Sequence, residues 1–343
     1  MRSPRERSSR SSPPTCRHAL TVLPLAEGST GPAITDVQER LAALGHVVDG
    51  DTPGVFGPST KAAVEAFQRR RGLRIDGIVG SLTWDRLVEA GRVLGDRVLL
   101  MATPMPRGDD VAELQERLAA LGFDPGRVDG IFGEATRAAV VSFQRDAGLV
   151  DDGIAGPATL LEVRRLAVRY PRSTLVNEVK ERSGVRFSPG AVAGMTVAIG
   201  QAGGLEVVVE ATARALRLRG AHAVVVRDVD ESALAATANA AGAACLVVLR
   251  LDPGTSRSTA LYFASERSQS PAGMLLAQHV AEATGKALAL DHAVAGMTLP
   301  VLRETQMPAV VVEFGPLDRV VERTAQLAAA VVEALEGWTA PRA

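Results

Sequence analysis

Residues 36–45 read DVQERLAALG, and residues 110–122 read DVAELQERLAALG. Further on, AAVEAFQRRRGLRIDGIVG (62–80) aligns with AAVVSFQRDAGLVDDGIAG (138–156). Phe67-Gln68 and Phe143-Gln144 are 76 positions apart, as are Asp76-Gly77 and Asp152-Gly153. Leu44-Gly45 and Leu121-Gly122 are 77 apart, so the first copy has gained one residue in its loop, HVVDGDTPGVFG against FDPGRVDGIFG. Self-similarity at a fixed spacing marks a duplication and sets the architecture of the N-terminal half.

Each copy reads as three short helices. Val37, Leu41 and Leu44 recur at helical spacing, and Gly45 is a stop signal. Pro58-Ser59-Thr60 opens a second helix, in which Val64 and Phe67 face a core. Asp76-Gly77 is a tight-turn dipeptide ahead of a last helix, Ser81–Ala90. Leu114, Leu118, Leu121, Phe132, Val140, Phe143 and Asp152-Gly153 repeat the scheme. The pattern D-V-x-x-L-Q-x-x-L, then T-x-x-A-V-x-x-F-Q, then G-L-x-x-D-G-x-x-G-x-x-T resembles the peptidoglycan-binding domain of the PG-binding 1 family. The resemblance implies a three-helix module that grips cell-wall glycopeptide. Nearly every matching residue reads as cap, turn or core rather than as ligand groove.

Length and composition bound the rest. At roughly 100–200 residues per domain, 343 residues predict two or three domains. Thirty-eight basic residues face 39 acidic ones, which argues against a whole-chain nucleic-acid binder. Cys16 and Cys245 are the only cysteines, which excludes a disulfide framework and a cysteine-built zinc site. No apolar run reaches the roughly 18 residues of a transmembrane helix. The start, MRSPRERSSRSSPPTCRHAL, holds five Arg and one Glu with no signal-like apolar stretch. The expected division is a disordered basic tail (1–28), module 1 (29–95), module 2 (104–166), a linker (167–194) and an α/β domain (195–338).

In that last part the pattern alternates strand and helix. Strands are expected at 196–199, 223–227, 246–251, 260–264 and 309–314, with helices at 206–219, 231–241, 271–284 and 319–336. Short Val-rich runs, each followed by a helix, indicate a mostly parallel, doubly covered sheet. TVAIGQAGG (196–204), GAHAVVVRDVD (220–230), ATANAAGAACLVVLRLD (236–252) and LPVLRETQMPAVVVEFGPLD (299–318) resemble the zinc-dependent N-acetylmuramoyl-L-alanine amidases of the amidase 3 family. The last string carries the strongest likeness.

That family holds zinc with His, Glu and His and uses a further Glu as base. Carried over position by position, the first His falls on Ala202 and the second on Arg250. The Glu ligand falls near Gln201, its loop having been deleted; Glu206 and Glu210 are the possible imitators. The base position survives as Glu313. A methyl group cannot ligate zinc, and a guanidinium carries only donors and a permanent positive charge. Hence no metal is expected, and zinc enters only if the chain is a working amidase after all. His222 is expected at the opposite sheet edge, His279 in mid-helix, His292 in a loop, and His18 and His46 outside this domain. Arg250 and Glu313 both end strands on one edge, and are expected to pair where metal and base stand in the family. Gly200–Gly204 lacks G-x-G-x-x-G, and no G-x-S-x-G elbow is present.

Two wall-binding modules beside a metal-stripped amidase domain resemble the actinobacterial CwlM-type pseudo-amidases. The resemblance implies a pseudoenzyme of the cytoplasm or the inner face of the membrane that regulates or scaffolds peptidoglycan synthesis. Its implied partners are peptidoglycan or its precursors and a cytosolic precursor-synthesis enzyme, the enolpyruvyl transferase of the first committed step. Such proteins carry their regulatory threonine in a C-terminal extension. This sequence closes on GWTAPRA, with Thr339 as the only threonine there. The alternative is an active N-acetylmuramoyl-L-alanine amidase that cleaves the lactoyl–L-alanine amide.

Overall fold

The computed structural model describes residues 24–167, 192–201 and 203–340. Module 1 is built from α1 (Pro32–Ala43), α2 (Pro58–Arg70) and α3 (Ser81–Glu89). Module 2 repeats it with α4 (Asp109–Ala120), α5 (Glu134–Asp146) and α6 (Pro157–Ala167). Ile34, Val37, Leu41, Val64, Phe67 and Leu87 meet in the first core. Val111, Leu114, Leu118, Val140, Phe143 and Val163 meet in the second. These are the apolar stripes of amphipathic helices too short to be stable alone.

The repeated glutamines hold the loops to the helices. Gln144 Nε2 donates to Asp152 Oδ1 (2.9 Å), Ile154 O (3.0 Å) and Thr159 Oγ1 (3.0 Å), and its Oε1 accepts from Gly153 N (2.9 Å). Gln68 makes the same set to Asp76, Ile78, Thr83 and Gly77. Gln115 does so with Asp129, Ile131, Thr136 and Gly130. Gln38 is the incomplete copy, bonded to Val55 O, Thr60 and Gly54 N but to no aspartate. Each buried amide satisfies backbone groups that a bare loop leaves unpaired.

The unit boundaries differ from those expected. Leu25 is buried in the first core and exchanges backbone hydrogen bonds with Val79 (3.0 and 2.8 Å), so module 1 begins inside the supposed tail. Leu99 and Ala155 form the equivalent pair (3.3 and 2.8 Å), and Leu94 joins the same core, so module 2 begins ahead of residue 104. Val192 is already part of the α/β core. Residues 1–23 of the expected tail and 168–191 of the expected linker lie outside the described residues.

The α/β domain runs β1 (Thr196–Gln201), α7 (Glu206–Leu218), β2 (His222–Arg227), α8 (Glu231–Ala240), β3 (Cys245–Leu251), β4 (Arg257–Phe263), α9 (Pro271–Leu288), β5 (Asp291–Met297), α10 (Pro300–Glu304), β6 (Ala309–Phe314), α11 (Leu317–Glu322) and α12 (Thr324–Thr339). The strand order is β2-β1-β3-β6-β4-β5. β2, β1, β3 and β6 are parallel; β4 runs against β6, and β5 runs with β4. Both faces are covered. Val247, Leu249, Val310 and Val312 pack under α7, α9 and α12, while Leu246, Val248 and Val311 pack under α8 and α10. Burial on both sides explains why these strands read as unbroken apolar runs.

Candidate functional site

Strand parity aims the site. Residues 246, 248 and 309, 311 face α8 and α10, so Arg250 and Glu313, two positions further along each strand, lie on that same face. They are register partners at the carboxyl ends of β3 and β6, the edge where open parallel sheets place their sites. Arg250 Nη1 donates to Glu313 Oε1 at 3.3 Å, and Arg250 Nη2 pairs with Glu231 at the start of α8. A second cation arrives from module 1: Arg74 Nη2 donates to the same Glu313 Oε1 at 2.7 Å. Glu313 is nearly buried, with 12% of its side chain exposed, against 22% for Arg250 and 57% for Arg74. Two guanidiniums and two carboxylates thus occupy the edge as one neutral network.

The remaining sequence candidates are placed elsewhere or otherwise engaged. Ala202 lies outside the described residues. Gln201 falls on the opposite face of β1 and closes the Gly203-Gly204 loop: its Nε2 donates to Glu206 Oε1 (2.9 Å) and its Oε1 accepts from Leu205 N (3.0 Å). That bond from Gln201 holds the exposed Glu206 carboxyl below its ordinary range. Glu210 is ion-paired with Arg227. His222 starts β2 beside Thr196, at the amino edge. His292 is not in a loop as expected. It begins β5, paired with Ser258, and is exposed one strand beyond β4 from Glu313. His46 packs edge-on against Phe67 (6.0 Å), where burial and then Arg70 and Arg71 lower its pKa. Burial pushes the Cys245 thiol up to about 12, so it is no nucleophile. Cys16 and His18 lie outside the described residues. Thr339 is buried in the last turn of α12, its hydroxyl donating to Glu336 O (2.9 Å).

These residues do not fit the zinc of the amidase 3 family. Arg250 offers donors and no lone pair. Glu313, the expected base position, is engaged by two arginines. Among the described residues no three His, Cys, Asp or Glu side chains stand together closely enough to hold a metal ion. What the arrangement does chemically is electrostatic: it ties β3, β6, α8 and module 1 together.

Residues 30–87 and 107–161 match the PG-binding 1 family, a peptidoglycan binding domain, and residues 190–335 match the amidase 3 family, N-acetylmuramoyl-L-alanine amidase. The N-acetylmuramoyl-L-alanine amidase CwlM of Mycobacterium tuberculosis is 35% identical over 351 residues, covering 90% of this chain and 86% of its own length. The chain belongs to the CwlM family of N-acetylmuramoyl-L-alanine amidases. The N-acetylmuramoyl-L-alanine amidase CwlL of Bacillus licheniformis is 31% identical over 163 residues, covering 41% of this chain and 45% of its own length. The crystal structure of the amidase Ami1 from Mycobacterium smegmatis aligns with 43% of the chain and 98% of its own, at 15% identity and a TM-score of 0.37. No helix among the described residues is long and apolar enough to cross a membrane.

Arg74 and Glu231 were missed from sequence. Glu231 carried no motif. Arg74 did leave a signal: the equivalent position of the second copy is Val150, so the two repeats diverge where one of them meets the site.

Proposed function

We propose that this chain is a non-hydrolytic member of its family, a peptidoglycan-binding pseudo-amidase that regulates or scaffolds peptidoglycan synthesis. The observation that carries the reading is Arg250 bonded to Glu313 at 3.3 Å, a fixed cation beside the base position of the amidase 3 pattern. A cation there repels a metal ion and occupies the carboxylate that general-base chemistry needs free. Two peptidoglycan binding domains supply the wall or precursor ligand. The remaining partner is a cytosolic precursor-synthesis enzyme, met in the cytoplasm or at the inner face of the membrane. The second reading, hydrolysis of the lactoyl–L-alanine amide, is favoured by the amidase name of the M. tuberculosis relative.

The two readings separate in one assay. The full chain is mixed with zinc and insoluble peptidoglycan, pelleted, and the supernatant assayed for newly freed L-alanine amino termini. The proposal expects protein in the pellet and no termini above a boiled control. Termini that rise in proportion to added protein contradict it, and so does protein that stays in solution.

A further inference from the structure

The two modules repeat one fold, yet their last turns meet different surroundings. In module 2 the turn Ala147-Gly148-Leu149-Val150 faces open space: Val150 is 78% exposed, and a Cβ on Gly148 meets nothing within 4 Å. In module 1 the same turn reads Arg71-Gly72-Leu73-Arg74 and lies on the α/β domain. Thr298 N donates to Gly72 O (2.8 Å), and Thr298 Oγ1 donates to Arg71 O (2.5 Å). Gly72 has φ +63°, and a Cβ there would lie 2.9 Å from the Ala264 carbonyl oxygen. Leu82 of α3 packs into the sheet core beneath α8 and α10. Arg74 reaches on to Glu313.

We infer that the face of the amidase-like sheet running from the strand ends at Ala264 and Thr298, on the amino side of β6, across to Glu313 at the carboxyl end of β6 is a docking surface whose occupant is module 1 of the same chain, seated by the Arg71–Asp76 turn. A ligand for the Glu313 end has to displace Arg74. The two repeats are therefore not interchangeable: one turn is committed inside the molecule, and its twin is free. This goes beyond the function proposed above and holds whether or not the chain hydrolyses anything.

Thr298 supplies a reporter, because its amide proton is held by Gly72. Hydrogen exchange is followed at Thr298 in the full chain and in three variants. Gly72→Ala and Gly148→Ala are a matched pair, since both force a side chain onto left-handed backbone (φ +63° and +69°) and only the first collides with the α/β domain. Gly72→Ala is expected to speed Thr298 exchange about tenfold or more. Gly148→Ala is expected to leave it unchanged. Arg74→Ala spares the backbone and is expected to speed it roughly three- to fivefold. If Gly72→Ala fails to fold, Arg74→Ala decides alone. Unchanged Thr298 exchange in the folded variants overturns the inference, as does Gly148→Ala matching Gly72→Ala.

Discussion

Arg250 stands between two carboxylates, and Glu313 between two arginines. Removing Arg250 strands Glu231, whose Oε2 is already buried without a partner, whereas removing Glu313 leaves Arg250 on Glu231. Arg250→Ala is therefore expected to cost roughly 3 kcal/mol of stability, more than Glu313→Ala, because a largely buried charge is left uncompensated. In a double-mutant cycle read by urea denaturation, the two changes are expected to couple by roughly 1–3 kcal/mol; additive costs would show the contact to be idle. Asp129 makes a pH prediction. Desolvation pushes its carboxyl from 3.8 up to about 6, against the opposing hydrogen bond from Gln115. A carboxyl raised in the folded state stabilises fully below the unfolded value and loses that contribution as pH rises through about 6. Asp129→Asn, which keeps the acceptor for Gln115, is expected to flatten the fall in the urea midpoint between about pH 4 and 6.5, by at most about 3 kcal/mol. Glu313 and Arg250 were legible in sequence because strand ends and a family pattern mark them. Arg74 reaches the site only through a contact 239 positions away, which no local pattern records.

The elements explain what the motifs spell. The F-Q pair of each repeat is one core phenylalanine followed by one loop clamp. Gln144→Leu is expected to lose roughly 2–4 kcal/mol, since Gly153 N and the Asp152 turn lose their buried partner. The same change at Gln38 is expected to cost less, because that clamp lacks an aspartate. Thermal unfolding of both variants checks the order; equal losses would contradict it. The module helices, α7, α8, α9 and five of the strands were legible from apolar spacing, whereas α10 was not expected and α11 and α12 were read as one helix over 319–336. β5 was not: Asp291, His292 and Gly296 give it neither alternation nor an apolar run, because it is an edge strand with most side chains partly exposed. The module boundaries were misread for a similar reason. Leu25 and Leu99 each pair through a single bridge, too short to leave a strand pattern.

Across the whole molecule, α10 is where the three units meet. Arg303 Nη1 pairs with Glu89 of module 1 (2.9 Å), and its Nε donates to Asp129 O of module 2 (2.5 Å). Arg107 bonds Glu304, Arg127 donates to Thr305 O and Met307 O (both 3.0 Å), and Arg71 grips Asp109 with two bonds (2.7 and 2.8 Å). Arg303 is only 6% exposed, so Arg303→Ala is expected to cost roughly 3 kcal/mol and to split one unfolding transition into two. A single unshifted transition would show that the units stand independently. The use of arginine as interdomain mortar is visible only once the modules are folded against the sheet. The same charges bear on the proposed function, since the edge expected from the resemblance to hold the amidase 3 metal is here filled by Arg250 and Arg74. The most direct measurement is the zinc content of the full chain, purified with added zinc, desalted and counted by elemental analysis. The account predicts no zinc above the buffer background. About one zinc per chain would contradict it, and would put the amidase reading first.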